Sequence, residues 1–177
     1  MSTYDRDTLV ANLRLMGVGF LAPSDAKTGQ LMLPLELIQA LVSQADPRLR
    51  VALVALLLRQ PDLASQVSAL VDRLDQPARL DLQTLYTAAV YLQRLWRTRL
   101  GFYLGDFEIL PDYYSTTLSL PPADERYGKV GLYALAEAWA ARSAYPYNRL
   151  ASLNKTLELL FDQLKQETKA HESTPAG

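Results

Sequence analysis

Four prolines, Pro34, Pro47, Pro61 and Pro77, recur at intervals of 13, 14 and 16 residues, and no glycine interrupts the chain from Gln30 to Leu100. Proline suits the first turn of a helix, whose N–H groups lack intrahelical partners, and it breaks the helix interior. Asp46 stands immediately before Pro47 and Asp75 two residues before Pro77, each offering the side-chain acceptor that an N-cap needs. Each proline therefore reads as the start of a helix. The links between helices are then only a few residues long, which favours neighbouring, roughly antiparallel packing.

Apolar periodicity supplies the elements. A first helix is expected from about Tyr4 to Met16, with Leu9, Leu13 and Met16 on one side, stopping near Gly17 and Gly19. A loop of turn formers, Ala22 to Gly29, follows it. The second helix starts at Pro34 and buries Leu37, Ile38, Leu41 and Val42. The third, Pro47 to Arg59, is apolar on every side from Val51 to Leu58, so it must have neighbours all round. The fourth, Pro61 to Leu74, is amphipathic, with Leu63, Val67, Leu70, Val71 and Leu74 facing in.

A fifth helix is expected over Pro77 to Leu104, on a seam of Ala78, Leu82, Leu85, Ala89, Leu92, Trp96, Arg99 and Tyr103. At a rise of 1.5 Å per residue it would span roughly 40 Å and form the axis of the molecule. Gly101 and Gly105 mark its end. The connection Gly105 to Pro122 carries a short extended candidate at Ser115 to Leu120. A sixth helix, Ala123 to Arg142, turns Leu132, Leu135 and Trp139 inward and has a stripe of small residues at Gly128, Gly131, Ala134, Ala138 and Ala141. After a turn at Tyr145-Pro146-Tyr147, Asn148 caps a seventh helix that uses Leu150, Leu153, Leu157, Leu160, Phe161 and Leu164.

The fold class is accordingly all-α: one bundle of about seven helices around a long central helix, with a short HEAT-like array of helical hairpins as the alternative. A single domain over residues 1–168 and a disordered tail over 169–177 complete the division. With 177 residues, 49% hydrophobic, the chain is long enough for a dry core and too apolar to be disordered. Its longest apolar run, Val51 to Leu58, is far short of a membrane span, and no secretory signal is read at Met1 to Asp7. The absence of cysteine removes disulfides and thiolate chemistry, and the formal charge of −1 exerts no global pull on nucleic acid. A bacterial-type cytoplasmic protein is expected.

No catalytic signature stands out. Gly17-Val18-Gly19-Phe20-Leu21-Ala22 fits a dinucleotide fingerprint in spacing, but a helix precedes it where a strand is required, so it reads as a helix stop. The S-x-x-K and K-T-G elements in Ser24 to Gly29 share one lysine, Lys27, and no sheet is expected to present them. Asp106, Glu108 and Asp112 place three carboxylates in seven residues of loop. They could serve a metal-dependent enzyme, and the plainer reading is that they are solvated or neutralise nearby arginines.

Fourteen of the sixteen aromatic residues lie between Tyr86 and Phe161, and three arginines are clustered within six residues among them. Arg94, Arg97 and Arg99 neighbour Tyr91 and Tyr103 at the end of the long helix, in a stretch with no acid from Thr84 to Leu104. Arginine with aromatics suits protein interfaces, or phosphate contact and base stacking. Cations in the last turns also complement the helix dipole, a purely structural cause. Arg94 and Arg97 fall on the polar side with Gln83 and Thr87, whereas Arg99 stands on the apolar seam and needs an escape to solvent or a partner among Asp106, Glu108 and Asp112. Together with the loop residues Tyr113 and Tyr114, these side chains (Tyr91, Arg94, Arg97, Arg99 and Tyr103) form the candidate partner-binding set. The expected function is that of a non-enzymatic protein–protein interaction module, a small accessory or regulatory partner of antitoxin-like kind. A nucleic-acid binder is the alternative, and self-association is left open. No cofactor, metal or membrane is expected.

Overall fold

A computed structural model describes residues 4–23, 30–144 and 148–174. Among them the chain forms eight α-helices: α1 (Arg6–Leu15), α2 (Pro34–Val42), α3 (Pro47–Arg59), α4 (Ala64–Val71), α5 (Ala78–Leu95), α6 (Arg97–Leu104), α7 (Lys129–Arg142) and α8 (Arg149–Glu172). Single 3-10 turns at Pro61–Leu63 and Glu125–Gly128 lead into α4 and α7. The helices make one bundle. No described helix is long and apolar enough to cross a membrane. The Ala22–Gly29 loop beyond Pro23, with the Ser24–Gly29 elements, and the Tyr145–Tyr147 turn lie outside the described residues, as do residues 175–177.

The prolines behave as punctuation. Pro34 and Pro47 open α2 and α3, Pro61 opens the 3-10 turn before α4, and Pro77 is the residue from which α5 springs. Asp46 caps α3 by accepting from the Arg48 N–H at 2.9 Å. Asp75 does not cap α5. Its backbone carbonyl, not its carboxylate, accepts from Arg79, and the Arg79 guanidinium turns back to the Val71 and Leu74 carbonyls at the end of α4. A cation bonded to terminal carbonyls satisfies acceptors that the helix itself leaves open. The α4–α5 corner is thus held from the C-terminal side.

Helix α3 is surrounded as its composition requires: every residue from Val51 to Leu58 is buried. It packs most extensively on α5 and also touches α2 and α8. Helix α5 is the second surrounded element, buried on all sides from Leu82 to Gln93. It reaches α3, α4, α7 and the turn before α7. These two helices are the core, and the others cover them.

Three expectations fail here. The single helix over Pro77–Leu104 divides at Trp96, whose φ and ψ of −109° and 19° leave the helical region, so Gly101 falls inside α6 and Gly105 alone ends it. The hydrogen-bond ladder bridges the break, Trp96 N–H to Leu92 and Leu100 N–H to the Trp96 carbonyl. The bend coincides with Trp96 packing edge-on against Phe161 of α8 at 5.9 Å between ring centres, and no proline or glycine announces it. The longest helix is instead α8, 24 residues running to Glu172, past the Lys169 at which composition places the tail. Finally, Ser115–Leu120 is not extended but a compact turn, closed by the Leu118 N–H on the Tyr114 carbonyl and the Leu120 N–H on Ser115.

The helix expected from Ala123 starts only at Lys129, after the turn Glu125–Gly128, and of its stripe of small residues the first two positions work. Gly128 and Gly131 lie against α5, where a Cβ on Gly131 would overlap the Tyr91 ring and one on Gly128 would sit 2.5 Å from the Tyr91 carbonyl oxygen. Ala141 is exposed and takes no part. Gly131→Ala should therefore cost about 1–3 kcal/mol through overpacking. Leu56→Ala and Leu85→Ala, at sites with no exposure, should each cost about 2–5 kcal/mol. Denaturant unfolding of the three variants checks both figures, and an unchanged midpoint would place the core elsewhere.

Candidate interaction surface

The side of α5 that reads as polar is buried. Gln83 and Thr87, expected at the surface, are covered, as are Thr84 and Gln93. The threonines close on their own helix, Thr84 to the Leu80 carbonyl and Thr87 to Gln83, both at 2.7 Å, and Thr84 also accepts from Arg142 of α7 at 2.9 Å. A hydroxyl bonded back to the preceding turn needs no water, so this face can be dry.

Helix α7, the turn before it and the connection between α6 and α7 all lie against α5, and side chains of α5 fix that connection. The Gln93 amide donates to the Glu108 carbonyl at 2.9 Å and accepts from the Leu110 N–H at 2.7 Å. Arg94 donates to the Leu110 carbonyl at 2.6 Å. The Tyr86 and Tyr91 hydroxyls donate to the carbonyls of Pro111 and Pro121, each at 2.7 Å. Asp112 organises the loop from within: it accepts from the N–H and hydroxyl of Ser115 and from the Ala123 N–H.

This geometry redistributes the seven candidate residues. Tyr91 and Tyr114 are buried, and the Arg94 side chain keeps 12% of its exposure, so these three belong to the scaffold. Tyr113 is half-exposed and stacks on Tyr86 at 5.5 Å, with Tyr114 edge-on to the same ring. Arg97 and Arg99 are exposed on α6, and Tyr103 is half-buried there. Arg99 does not meet the loop carboxylates. Its guanidinium lies 4.1 Å over the Phe161 ring, a cation–π contact that lets a charge on the apolar seam stay near water. Neither Arg97 nor Arg99 has an ion pair among the described residues. The loop carboxylates are not assembled either: no cluster of three or more metal-ligating side chains occurs among the described residues, and Asp112 is spent on Ser115 and the Ala123 N–H.

One residue of this surface was missed from sequence. Phe102 is 78% exposed on α6, against Tyr103 edge-on at 5.0 Å. The signal was present: position 102 lies off the seam that passes through Arg99 and Tyr103, so an aromatic there has no core to enter. What remains at the surface is a short helix presenting Arg97, Arg99 and Phe102, backed by Tyr103 and Phe161.

Burial pushes the Tyr86 hydroxyl well above the ordinary phenol value of 10.0, and the neighbouring phenols Tyr113 and Tyr114 act in the same direction. Burial raises Tyr91 too, reinforced by Asp112. It also raises Tyr114, against a hydrogen bond with Ser68. A group whose folded pKa exceeds its unfolded one contributes stability in full below the unfolded value and loses it as pH rises above that value. Thermal stability should therefore hold up to about pH 9 and fall beyond about pH 10, and in Tyr86→Phe/Tyr91→Phe that alkaline decline should be shallower. Gln93→Leu should cost about 1–3 kcal/mol, because it strands the Leu110 N–H and the Glu108 carbonyl. Denaturant midpoints near neutral pH measure this, and a neutral result would mean the loop is held without the amide. The chain matches no family model, and neither a curated protein nor a solved structure matches it.

Proposed function

We propose that this chain works as a protein-interaction module, an accessory or regulatory partner in the cytoplasm, whose docking surface is the outer face of α6. The observation that carries the reading is Phe102, an aromatic ring 78% exposed on a helix whose only fully covered residue is Leu100. Arg97 and Arg99 accompany it. An aromatic anchor with adjacent arginines is the composition of residues that dominate binding energy at protein interfaces. The partner best suited to it offers an apolar pocket for the ring and carboxylates or carbonyls for the guanidinium groups. Tyr113, half-exposed over Tyr86, is a secondary contact. Tyr91, Arg94 and Tyr114 leave the docking set and act by holding the loop.

The test is affinity selection from an extract of the native host. Phe102→Asp, and separately Arg97→Glu/Arg99→Glu, should each lose the partner by about tenfold or more in retained amount, the scale of a 1.4 kcal/mol change. Tyr133→Asp, at an exposed ring on α7, should retain it. Partners held equally by all variants would move the docking surface off α6. Salt-sensitive binding of oligonucleotides lost in the arginine variant would replace the reading with nucleic-acid recognition, and a concentration-dependent dimer lost in Phe102→Asp would make the partner a second copy.

A further inference from the structure

A groove of about 580 Å³ opens between the N-terminus of α3, the Phe20–Leu21 segment and the N-terminal half of α8. The volume lies within the range of small-molecule sites, which are typically apolar clefts with a few placed polar groups. Its apolar lining includes Phe20, Leu21, Val51 and Leu159, and two cationic residues, Arg48 and Lys155, line it as well. One carboxylate is present, Asp46, and it is already engaged. It accepts from the Arg48 N–H at 2.9 Å and faces Arg6 at 3.8 Å. Lys155 has Glu158 at 3.9 Å, both side chains more than two-thirds exposed, which leaves the ammonium largely hydrated. Arg48 has no ion pair among the described residues. The groove therefore combines an apolar lining with one guanidinium that has no ion pair among the described residues, Arg48, and one ammonium that is only loosely paired, Lys155.

We infer that this groove binds a single-chain amphiphile with a carboxylate head group. The chain lies on Phe20, Leu21, Val51 and Leu159, where it removes apolar surface from water, and the carboxylate meets Arg48 and Lys155. Arg48 carries the specificity, since a guanidinium fork matches the two carboxylate oxygens. The site is separate from α6 and does not depend on the role proposed for it.

Isothermal titration with decanoate and with decyltrimethylammonium, equal in chain length and opposite in head charge, tests the inference with both probes kept below micelle formation. Decanoate should bind at one site about tenfold or more tighter than the cation, a difference two ion pairs can supply. Raising the salt should shrink that preference. Arg48→Glu/Lys155→Glu should reverse it, and Thr156→Trp, which places a ring in the groove without touching either charge, should weaken both probes. Circular dichroism melting shows which variants fold, and either one alone suffices. Equal affinity for the two probes overturns the inference, as does a preference that survives charge reversal or binding that survives Thr156→Trp. Failure of decanoate to bind while anionic vesicles do would also overturn it.

Discussion

Three side-chain amides hold this molecule's irregular segments in place, and they do so in one way. Asn12 accepts from the Met32 N–H and donates to the Gln30 carbonyl. Gln93 does the same with Leu110 and Glu108, and Gln163 with Gly19 and Gly17. Each amide thus takes the N–H of one residue and the C=O two before it, the pair of groups that an adjacent strand would take. Backbone that lies against a core must find partners, and a helix has none to lend laterally because its own ladder uses them. In a chain whose described residues contain no strand, an amide side chain is the available substitute. Carrying a donor and an acceptor side by side, it serves both peptide groups at once.

The consequence is a division of labour among helices. Because α5 supplies Gln93, Arg94, Tyr86 and Tyr91 to the chain crossing it, it can be buried on every side and still be polar on one. Helix α8 plays the same part toward the end of α1. Gln163 reaches Gly17 and Gly19 there, and donates as well to Glu167, which pairs with Arg59 of α3 at 2.9 Å. The segment after α1, the end of α3 and the middle of α8 are therefore tied at one point. Phe20–Leu21, which lines the groove, runs between the Gly19 N–H held by Gln163 and the Ala22 carbonyl that accepts from Arg6 at 2.9 Å, so its position is set by hydrogen bonds made on either side of it.

Much of the architecture is legible in the sequence because it rests on local chemistry. Proline at a first turn, an aspartate before it, and an apolar run eight residues long in every direction need only neighbours in the chain, and α2, α3 and α4 follow from them. The same local reasoning fails where distant residues decide. Gln83 and Thr87 look like surface residues, yet both are buried in a helix that meets α3, α4, α7 and the turn before α7. Nothing near Trp96 indicates a break, and the ring packed against it there, Phe161, stands 65 positions later. Spacing alone groups Tyr91 and Arg94 with the exposed arginines, whereas Gly128, Gly131 and the loop carbonyls enclose them. The candidate site was legible as a region of the chain and not as a set of side chains.

The break at Trp96 also changes what the arginines mean. On a continuous helix ending at Leu104, Arg97 and Arg99 would stand near a C-terminus, where cations complement the dipole and need no other purpose. With the division, Arg94 occupies the last turn of α5, while Arg97 and Arg99 fall in the first turn of α6, the end at which a cation is least favoured. Arg99 has a structural use over Phe161. Arg97 has none, and Phe102 stands in water on the same short helix. Eight residues do not hold a helix by themselves. Helix α6 persists through Leu100, the contacts of Arg99 and Tyr103 with Phe161, and Phe107 packed near Gly101. Folding accounts for that inner side and leaves Arg97 and Phe102 unexplained, so the docking role proposed for α6 rests on a ring and a charge that the core does not require.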